Sequence, residues 1–352
     1  MQNVSIVDSL HNHTAGQLPF ITVIMPIRNE AHYIMRSLGA VLGQTYPAER
    51  MEVLVVDGMS NDATRSVVQQ TIERRKAQGH AVSSVHILDN PSRIAPAALN
   101  IGLDQARGEV IIRVDGHCEI APDYLYRCVR ALCETEAECV GGALTTIGET
   151  RVAQAIATAQ SSPFGVGGAA FRTGRAQAGY VDTLAFGAYR REVFERIGGF
   201  DEELVRNQDD EFNFRLIQAG GKIWLDPSIQ SVYYSRASLH TLWHQYFEYG
   251  YYKVRVIEKR RAVASWRHLV PGVFVVGLLS SMLLALVTRK SRWALSVAGP
   301  YALANGLASA SSAGRNWALS PLLALAFLVL HTAYGFGFLA GCGHWLVKDS
   351  SK

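Results

Sequence analysis

Charge is the property this 352-residue chain has least of. Asp, Glu, Lys and Arg make up 18% of it, against about 25% in an ordinary soluble domain. Hydrophobic residues make up 49%, which excludes an intrinsically disordered chain, since such chains are polar and charge-rich. Cysteine is also sparse. Cys118, Cys128, Cys133, Cys139 and Cys342 form no CxxC pair. A disulfide-stapled scaffold is therefore excluded, and a packing role is expected for each thiol. A large basic excess is missing too. The 34 Lys+Arg against 30 Asp+Glu leave a net charge of +4, thin for a phosphate-reading surface, so no nucleic-acid partner is expected. Finally, no GxGxxG follows the first predicted strand and no GxxxxGK[ST] occurs. A nucleotide bound here has to be held by carboxylates, main chain and metal rather than by a glycine-rich phosphate loop.

The scarcity of charge has a location. Residues 269–347 contain no Asp and no Glu, and their only Lys or Arg residues are Arg289, Lys290, Arg292 and Arg315. Three apolar runs lie there, 269–287, 293–313 and 319–347, each approaching or exceeding the roughly 20 residues that cross a bilayer core. Trp293, Trp317, Trp345 and Tyr334 fit an interfacial aromatic belt. Lys259, Arg260, Arg261 and Arg267 precede the first run, and Arg289, Lys290 and Arg292 follow it. Positive charge favours the cytoplasm on both flanks. The first run is therefore expected to be re-entrant or interfacial, broken near Pro271, Gly272 and Gly277, with the other two as true spans. Three simple spans are the alternative. Residues 1–18 are polar and lack the apolar stretch of a signal peptide, so the N-terminal part is expected in the cytoplasm.

Residues 20–145 alternate strand and helix patterns. Apolar runs at 21–27, 53–56, 85–88 and 110–114 are separated by helical patterns at 31–42, 63–76 and 96–106, with Asn61 or Asp62 placed to cap the second helix. Continuous apolar strands joined by helices predict a parallel sheet covered on both faces. Ligands bind beyond the carboxyl ends of such strands. Asn29 and Glu30 stand there after the first strand, Asp57 after the second, and Asp115 and His117 after the fourth. A divalent cation bridged to a diphosphate needs only one or two protein ligands, because phosphate oxygens and water supply the rest. A His in the set admits Mn²⁺ as well as Mg²⁺.

Longer motifs occur in order. They are Pro26-Ile27-Arg28-Asn29-Glu30, the stretch from Val55 to Thr64 around Asp57-Gly58-Met59-Ser60-Asn61-Asp62, Ala106-Arg107-Gly108-Glu109, Asp115-Gly116-His117, Gly198-Gly199-Phe200-Asp201-Glu202 and Gln208-Asp209-Asp210-Glu211-Phe212. This ordered set resembles a family 2 glycosyltransferase with the GT-A fold. Ser162-Pro163-Phe164-Gly165-Val166-Gly167-Gly168, Val181-Asp182-Thr183 and Gln245-Tyr246-Phe247-Glu248-Tyr249-Gly250 are similar to the succinoglycan glucosyltransferase, ExoA-like, subgroup. The resemblance implies an α/β chain: a GT-A nucleotide-sugar-binding, Rossmann-like domain with a C-terminal helical membrane region. It implies a polar extension over 1–19, the transferase domain over 20–240, an amphipathic interfacial helix over 241–268 and a transmembrane or re-entrant helical region over 269–347.

The same resemblance assigns roles. Asp57 would pair with the nucleotide base, in a pocket lined by Pro26, Arg28, Asn29 and Glu30. Arg93 and Asn100 would approach the donor, and Asp115 with it. Asp115 and His117 would form the metal site for Mg²⁺ or Mn²⁺, with His where the family has Asp. Asp209 would be the catalytic base, although Gln208 departs from the family's Glu-Asp pair. Asp182, Asp210, Glu211, Gln245 and Tyr249 would lie on the acceptor side. Gly141-Gly142 and 164–168 are expected as flexible loops near it. The basic run Lys253, Arg255, Lys259, Arg260 and Arg261 is expected to face anionic lipid.

The implied activity is an inverting transfer of a sugar, glucose by subgroup, from a UDP-sugar to a polyprenyl-diphosphate-linked saccharide in exopolysaccharide synthesis. It would occur at the cytoplasmic membrane with the catalytic part facing the cytoplasm and membrane lipids as partners. A processive polysaccharide synthase is the first alternative, disfavoured because the Gln245 segment lacks the Arg and Trp of the Gln-x-x-Arg-Trp motif. An inactive membrane scaffold is the second.

Overall fold

The computed structural model describes residues 18–346 apart from 82, 168–170, 173–176, 236 and 262–265. Most of the polar extension and Gly168 therefore lie outside the described residues. The chain divides into two compact units that interleave in sequence. Residues up to Ala143, Gln177–Glu202 and Phe212–Val232 make the first, and Leu144–Ala176, Glu203–Glu211 and the chain from Tyr233 onward make the second.

The first unit is built on a sheet. Its opening elements are β1 (Ile21–Ile27), α1 (Ile34–Leu42), β2 (Met51–Asp57), α2 (Thr64–Ala77), β3 (Ser84–Asp89), α3 (Ala95–Gln105) and β4 (Val110–Arg113). β1 pairs in parallel with β2 on one side, with Val23 opposite Val53, and with β4 on the other, while β2 pairs in parallel with β3. The expected parallel core is present, with each end within a few residues of its predicted place. Ile21, Val23, Met25, Val53, Val55 and Ile112 are buried, as strands covered on both faces require. Pro96 in the first turn of α3 fits a position whose N–H needs no helical partner.

The remaining elements are β5 (Cys118–Ile120), α4 (Tyr124–Glu134), β6 (Cys139–Ile147), α5 (Arg151–Gln160), α6 (Pro163–Val166), β7 (Gly179–Val181), β8 (Ala188–Arg190), α7 (Arg191–Ile197), α8 (Gln208–Gln218) and β9 (Ile223–Tyr234). The sheet order is β3-β2-β1-β4-β8-β6-β9-β5, with β7 against β9. β8 runs antiparallel to both β4 and β6, so the whole sheet is mixed. Gly141 and Gly142 lie inside β6 rather than in a flexible loop. A side chain at Gly142 would collide with the carbonyl of Ile229 in β9, so the glycine serves close strand approach. Cys118, Cys128 and Cys139 are buried as expected, but Cys133 is exposed.

The second unit is helical. α9 (Leu239–Arg260), α10 (Val270–Thr288), α11 (Arg292–Ala313) and α12 (Ser320–Gly341) follow the sheet. α9 starts two residues before the expected boundary, where the Ser238 hydroxyl accepts from the Thr241 N–H at 3.2 Å. α9 and α12 approach closely through glycine. Side chains at Gly250, Gly337 and Gly341 would strike the backbones of Tyr334, Phe247 and Tyr251, the small-xxx-small device of membrane helix pairs. Ile156 of α5, Leu242 and Tyr246 of α9, and Leu323, Phe327 and Leu330 of α12 form the core. α9 therefore buries its apolar face on protein.

The expected break in the first apolar run is absent. α10 is one unbroken helix. Pro271 sits in its first turn, where proline breaks nothing, and Gly277 is accommodated inside. Among the described residues, two segments are long and apolar enough to cross a membrane, Trp266–Thr288 and Trp317–Trp345. They correspond to the first and third apolar runs. Only 17% of the most apolar window of the first segment is buried, which a soluble core helix would not tolerate. α11 carries Pro300 inside and buries Asn305 and Ser309. In the expected aromatic belt Trp293 and Trp317 are exposed, whereas Trp345 is buried, with the Arg255 guanidinium 5.1 Å from its ring centroid.

Candidate active site

The polar loops after β1, β2 and β4 form one hydrogen-bonded wall in the first unit. Asp57, at the last position of β2, is 0% exposed. Its carboxylate accepts from Arg65 Nε at 2.6 Å and from the Ser60 hydroxyl at 2.5 Å. The same Ser60 oxygen accepts from the Asn29 N–H at 2.9 Å, and Asn29 Oδ1 accepts from the Asn61 N–H at 3.0 Å. Asn29 has φ 54° and Met59 φ 54°, a left-handed conformation that asparagine tolerates better than most residues. The turn that turns Asn29 toward the second loop is thus encoded by its own side chain. Arg28 and Arg93 are linked as well, Arg28 Nη1 donating to the Arg93 carbonyl at 3.3 Å. Arg93 is exposed.

Asp62 closes the α2 entrance. Its Oδ1 accepts from the Thr64 N–H at 3.0 Å, and its Oδ2 from the Ala31 N–H at 3.3 Å. Burial works to raise its pKa, but the hydrogen bonds from Thr64 and Ala31 outweigh it and hold the carboxyl below its ordinary range. The N-cap of α2 is Ala63 and carries no side-chain cap, so Asp62 is not the cap residue anticipated; it braces the first turn from one residue earlier and ties it to the first loop.

Glu30 ties the first loop to the fourth. Its N–H donates to Thr64 Oγ1 at 2.7 Å, and its carboxylate receives His117 Nδ1 at 2.8 Å. Gly116 permits this approach, since a side chain there would come within 2.9 Å of Glu30 Cγ and 3.0 Å of Ile27 Cγ2. The Asp115 carbonyl accepts from the Ser37 hydroxyl at 2.8 Å, and its carboxylate is forked by Arg113 at 2.7 and 3.0 Å.

Among the described residues no group of three or more His, Cys, Asp and Glu side chains is arranged to hold a metal ion. Asp115 and His117 supply two donors of the right chemistry. A carboxylate on the second nitrogen of a metal-ligating histidine is the usual orienting partner, and Glu30 occupies that place. With Nδ1 committed to Glu30, His117 would reach a cation through Nε2. The pair fits a divalent cation whose remaining ligands are phosphate oxygens and water.

The opposite end of the same strands is built differently. Buried Glu52 accepts from the Thr22 hydroxyl at 2.7 Å, from the Arg107 N–H at 2.8 Å and from Arg107 Nε at 2.8 Å. The Gly108 N–H donates to Thr22 Oγ1 at 2.8 Å. The Ala106–Glu109 motif is therefore a structural clamp. Asn100 is also a strut. Its amide donates to the Phe200 carbonyl and to Glu202, both at 2.9 Å, and accepts from the Phe200 N–H at 2.8 Å. It holds the Gly198–Glu202 motif, and this geometry does not support the donor contact expected of it. Asp182 directly follows β7 and is exposed.

The acidic residues at the start of α8 belong to the second unit. Gln208 and Glu211 are buried, and Asp209 and Asp210 are half-buried. Asp209 Oδ1 accepts from the Asp210 N–H at 2.9 Å. Asp210 is paired with Lys253 at 2.7 Å and with Arg260 at 3.3 Å. Burial works to raise the Asp210 pKa, but the charges of Lys253 and Arg260 hold it well below the usual carboxylate range. Lys253 and Arg260 are 8% and 4% exposed in their side chains. Arg255 pairs with Glu258 and Glu203, and Lys259 with Glu203 at 2.6 Å. Lys253, Arg255 and Arg260 of the basic run expected to face lipid are thus turned inward, whereas Lys259 and Arg261 are exposed, Arg261 capping α9 in the left-handed conformation. Helical period explains the error: Lys253 and Arg260 are seven residues apart and share one face.

On the acceptor side, Gln245 is buried and donates to the Tyr249 hydroxyl at 3.0 Å, while the Tyr249 carbonyl accepts from Asn207 Nδ2 at 3.0 Å. Residues 163–166 form a single helical turn, α6, and Gly167 has φ 67°. Sequence reasoning missed Arg65, the partner of Asp57, and Arg172, which sits among Tyr233, Tyr246 and Tyr249. Arg65 had a readable signal, being the second residue of the helix that starts beside the strand end. Arg172 had none.

Comparison with known proteins agrees with this architecture. The family model described as glycosyl transferase family 2 matches residues 22–198. The succinoglycan biosynthesis protein ExoA of Rhizobium meliloti is 32% identical over 318 residues, 90% of this chain and 93% of that protein. A dolichyl N-acetyl-alpha-D-glucosaminyl phosphate 3-beta-D-2,3-diacetamido-2,3-dideoxy-beta-D-glucuronosyltransferase of Methanococcus voltae is 30% identical over 76% of this chain and 83% of its own length. Among solved structures, the mannosyltransferase PcManGT of Pyrobaculum calidifontis, in complex with GDP-Man and Mn²⁺, aligns with TM-score 0.56 at 21% identity, covering 89% of this chain and 87% of that one. That likeness speaks for the fold alone. The parallel core, the braced strand-end loops and the extent of the match lead to one assignment: the chain is a glycosyltransferase of GT-A fold and belongs to glycosyl transferase family 2.

Proposed function

We propose that the chain is a membrane-bound inverting transferase that moves a sugar, glucose by the subgroup its motifs resemble, from a UDP-sugar to a polyprenyl-diphosphate-linked saccharide. The reading rests on the wall of loops in which Asp57, Asn29, Glu30, Asp115 and His117 are mutually braced beyond the strand ends. Asp57 stands where a nucleotide base would be read. Its carboxylate pairs with Arg65, which is 43% exposed, and such a partner can exchange for a ligand. Asp115 and His117 would hold Mg²⁺ or Mn²⁺, which supplies charge neutralisation for a leaving diphosphate.

Asp209 serves as the base that takes the acceptor hydroxyl proton as that oxygen attacks the anomeric carbon. A single displacement with one base and no protein nucleophile inverts configuration, so an α-linked donor gives a β-linkage. The apolar segments Trp266–Thr288 and Trp317–Trp345 anchor the chain in the cytoplasmic membrane with the sheet on the cytoplasmic side. A dolichyl-phosphate-linked acceptor for one relative supports a lipid-linked acceptor here. Incubation of membranes containing the full chain with UDP-glucose and a polyprenyl-diphosphate-linked sugar, followed by linkage analysis, tests the reading. One β-linked residue added per acceptor is expected. A long homopolymer would favour a processive synthase, and no product with any UDP-sugar would overturn transfer from this donor class.

A further inference from the structure

Arg172 belongs to no motif read from the sequence. It lies in the second unit, as do Asp209, Gln160 and the tyrosines around it. Its guanidinium carbon is 5.6 Å from the Phe171 ring centroid and 5.8 Å from that of Tyr233, the reach of a cation–π contact. Tyr246, Tyr249 and Asp209 are within its electrostatic range. A second arginine, Arg206, shares Tyr249 and Tyr233 with it, but Arg206 is neutralised by Glu248 at 2.8 Å. Among the described residues no carboxylate forms an ion pair with Arg172.

Two further features of this cluster point to a ligand. Gln160 is 1% and Gln245 6% exposed, and the side-chain oxygen of each is buried with no hydrogen-bond partner among the described residues. Buried acceptors are ordinarily satisfied, because leaving one unmade is costly. Gln245 donates to Tyr249 and Gln160 lies beside Tyr246, so both amides belong to the group of aromatic side chains around Arg172. The cluster therefore offers a planar cation, aromatic faces and two hydrogen-bond acceptors near Asp209. Guanidinium matches phosphate oxygens in its donor geometry, and amide oxygens match sugar hydroxyls.

We propose that Arg172 is a phosphate anchor for a sugar-phosphate ester whose hydroxyls are received by Gln160 and Gln245. The inference rests on the transferase reading and on Asp209 as its base. It adds a binding residue for the substrate's charge.

The test uses the full chain in membranes, as wild type, Arg172→Gln and Arg172→Lys. One arm measures KM for undecaprenyl-diphosphate-linked glucose and for octyl β-glucoside, which carries no phosphate. The other measures the dissociation constant of UDP. Arg172→Gln is expected to raise KM for the diphosphate-linked acceptor at least about tenfold, as loss of a charge-assisted contact does. KM for the neutral glucoside should stay unchanged, and Arg172→Lys should recover part of the loss. A loss that falls on UDP instead supports the anchor and assigns its phosphate to the donor. Equal constants for wild type and Arg172→Gln, with transfer intact, overturn the anchor alone. Equal losses on charged and neutral acceptors from Arg172→Gln, with Arg172→Lys no better, overturn it as well, because they mark a structural role. A wild type that binds UDP and transfers to no acceptor overturns the transferase reading instead.

Discussion

Carboxylates are used in opposite ways at the strand-end loops and at the start of α8. In the loops, Asp57 faces an arginine that remains 43% exposed, and Glu30 faces a histidine. Those partners are adjustable. At α8, Asp210 is held by Lys253 and Arg260, both almost wholly buried, while its neighbour Asp209 takes the N–H of residue 210. The lesson is that an acidic residue's partner, and the partner's own burial, separate structural charge from chemical charge. We propose that two adjacent aspartates in one helical turn fall on different sides of that line.

Substitutions can break the comparison. The largest stability effect is expected from Asp210→Asn. It leaves two buried cations without their carboxylate, a loss of about 3–5 kcal/mol when one partner of a buried pair is removed. Thermal unfolding in detergent should show it. The same pair has a pH signature. Because the folded Asp210 pKa is depressed, its stabilisation is complete above the ordinary value of 3.8 and is lost as pH falls through the depressed one. Glu30→Gln should act on turnover instead. It loosens the partner that orients His117, and about a 10–100-fold loss is expected, read as activity against metal concentration with the melting midpoint little changed.

Glu52→Gln tests the clamp at the other end of the strands. Loss of charge-assisted bonds to Arg107 should cost about 2 kcal/mol at neutral pH, with turnover of the folded enzyme unaltered. Burial works to raise the Glu52 pKa, but the bonds from Arg107 and Thr22 bring it below 4.5. The difference between wild type and variant should therefore be full above pH about 4.5 and vanish as pH falls through the folded pKa. The smallest effect belongs to Lys259→Ala. Its pairing with Glu203 is partly solvated, and a change below about 1 kcal/mol is expected in the same melting assay.

Sequence carried the parallel half of the sheet because its strands are continuous apolar runs and its helices have their own periodicity. The later strands β5–β9 were less legible. β5, β7 and β8 are three residues long, too short for an alternation to register. Asn29, Glu30, Asp57, Asp115 and His117 could be singled out because chain order alone puts them at strand ends. Asn100 could not be recognised as a strut, since its partners Phe200 and Glu202 lie a hundred residues away. The fate of Lys253 and Arg260 was hidden for the same reason. A basic run beside apolar helices reads as lipid-facing until the acidic turn that neutralises it is placed.

The central claim is that Asp209 is the base and Asp210 its structural neighbour. Sugar transfer per folded enzyme, measured for Asp209→Asn in the full chain with UDP affinity and melting midpoint followed in parallel, tests it most directly. The account predicts a fall of about 10²–10⁴-fold with UDP affinity and midpoint unchanged. Transfer at the wild-type rate by the folded variant would contradict it.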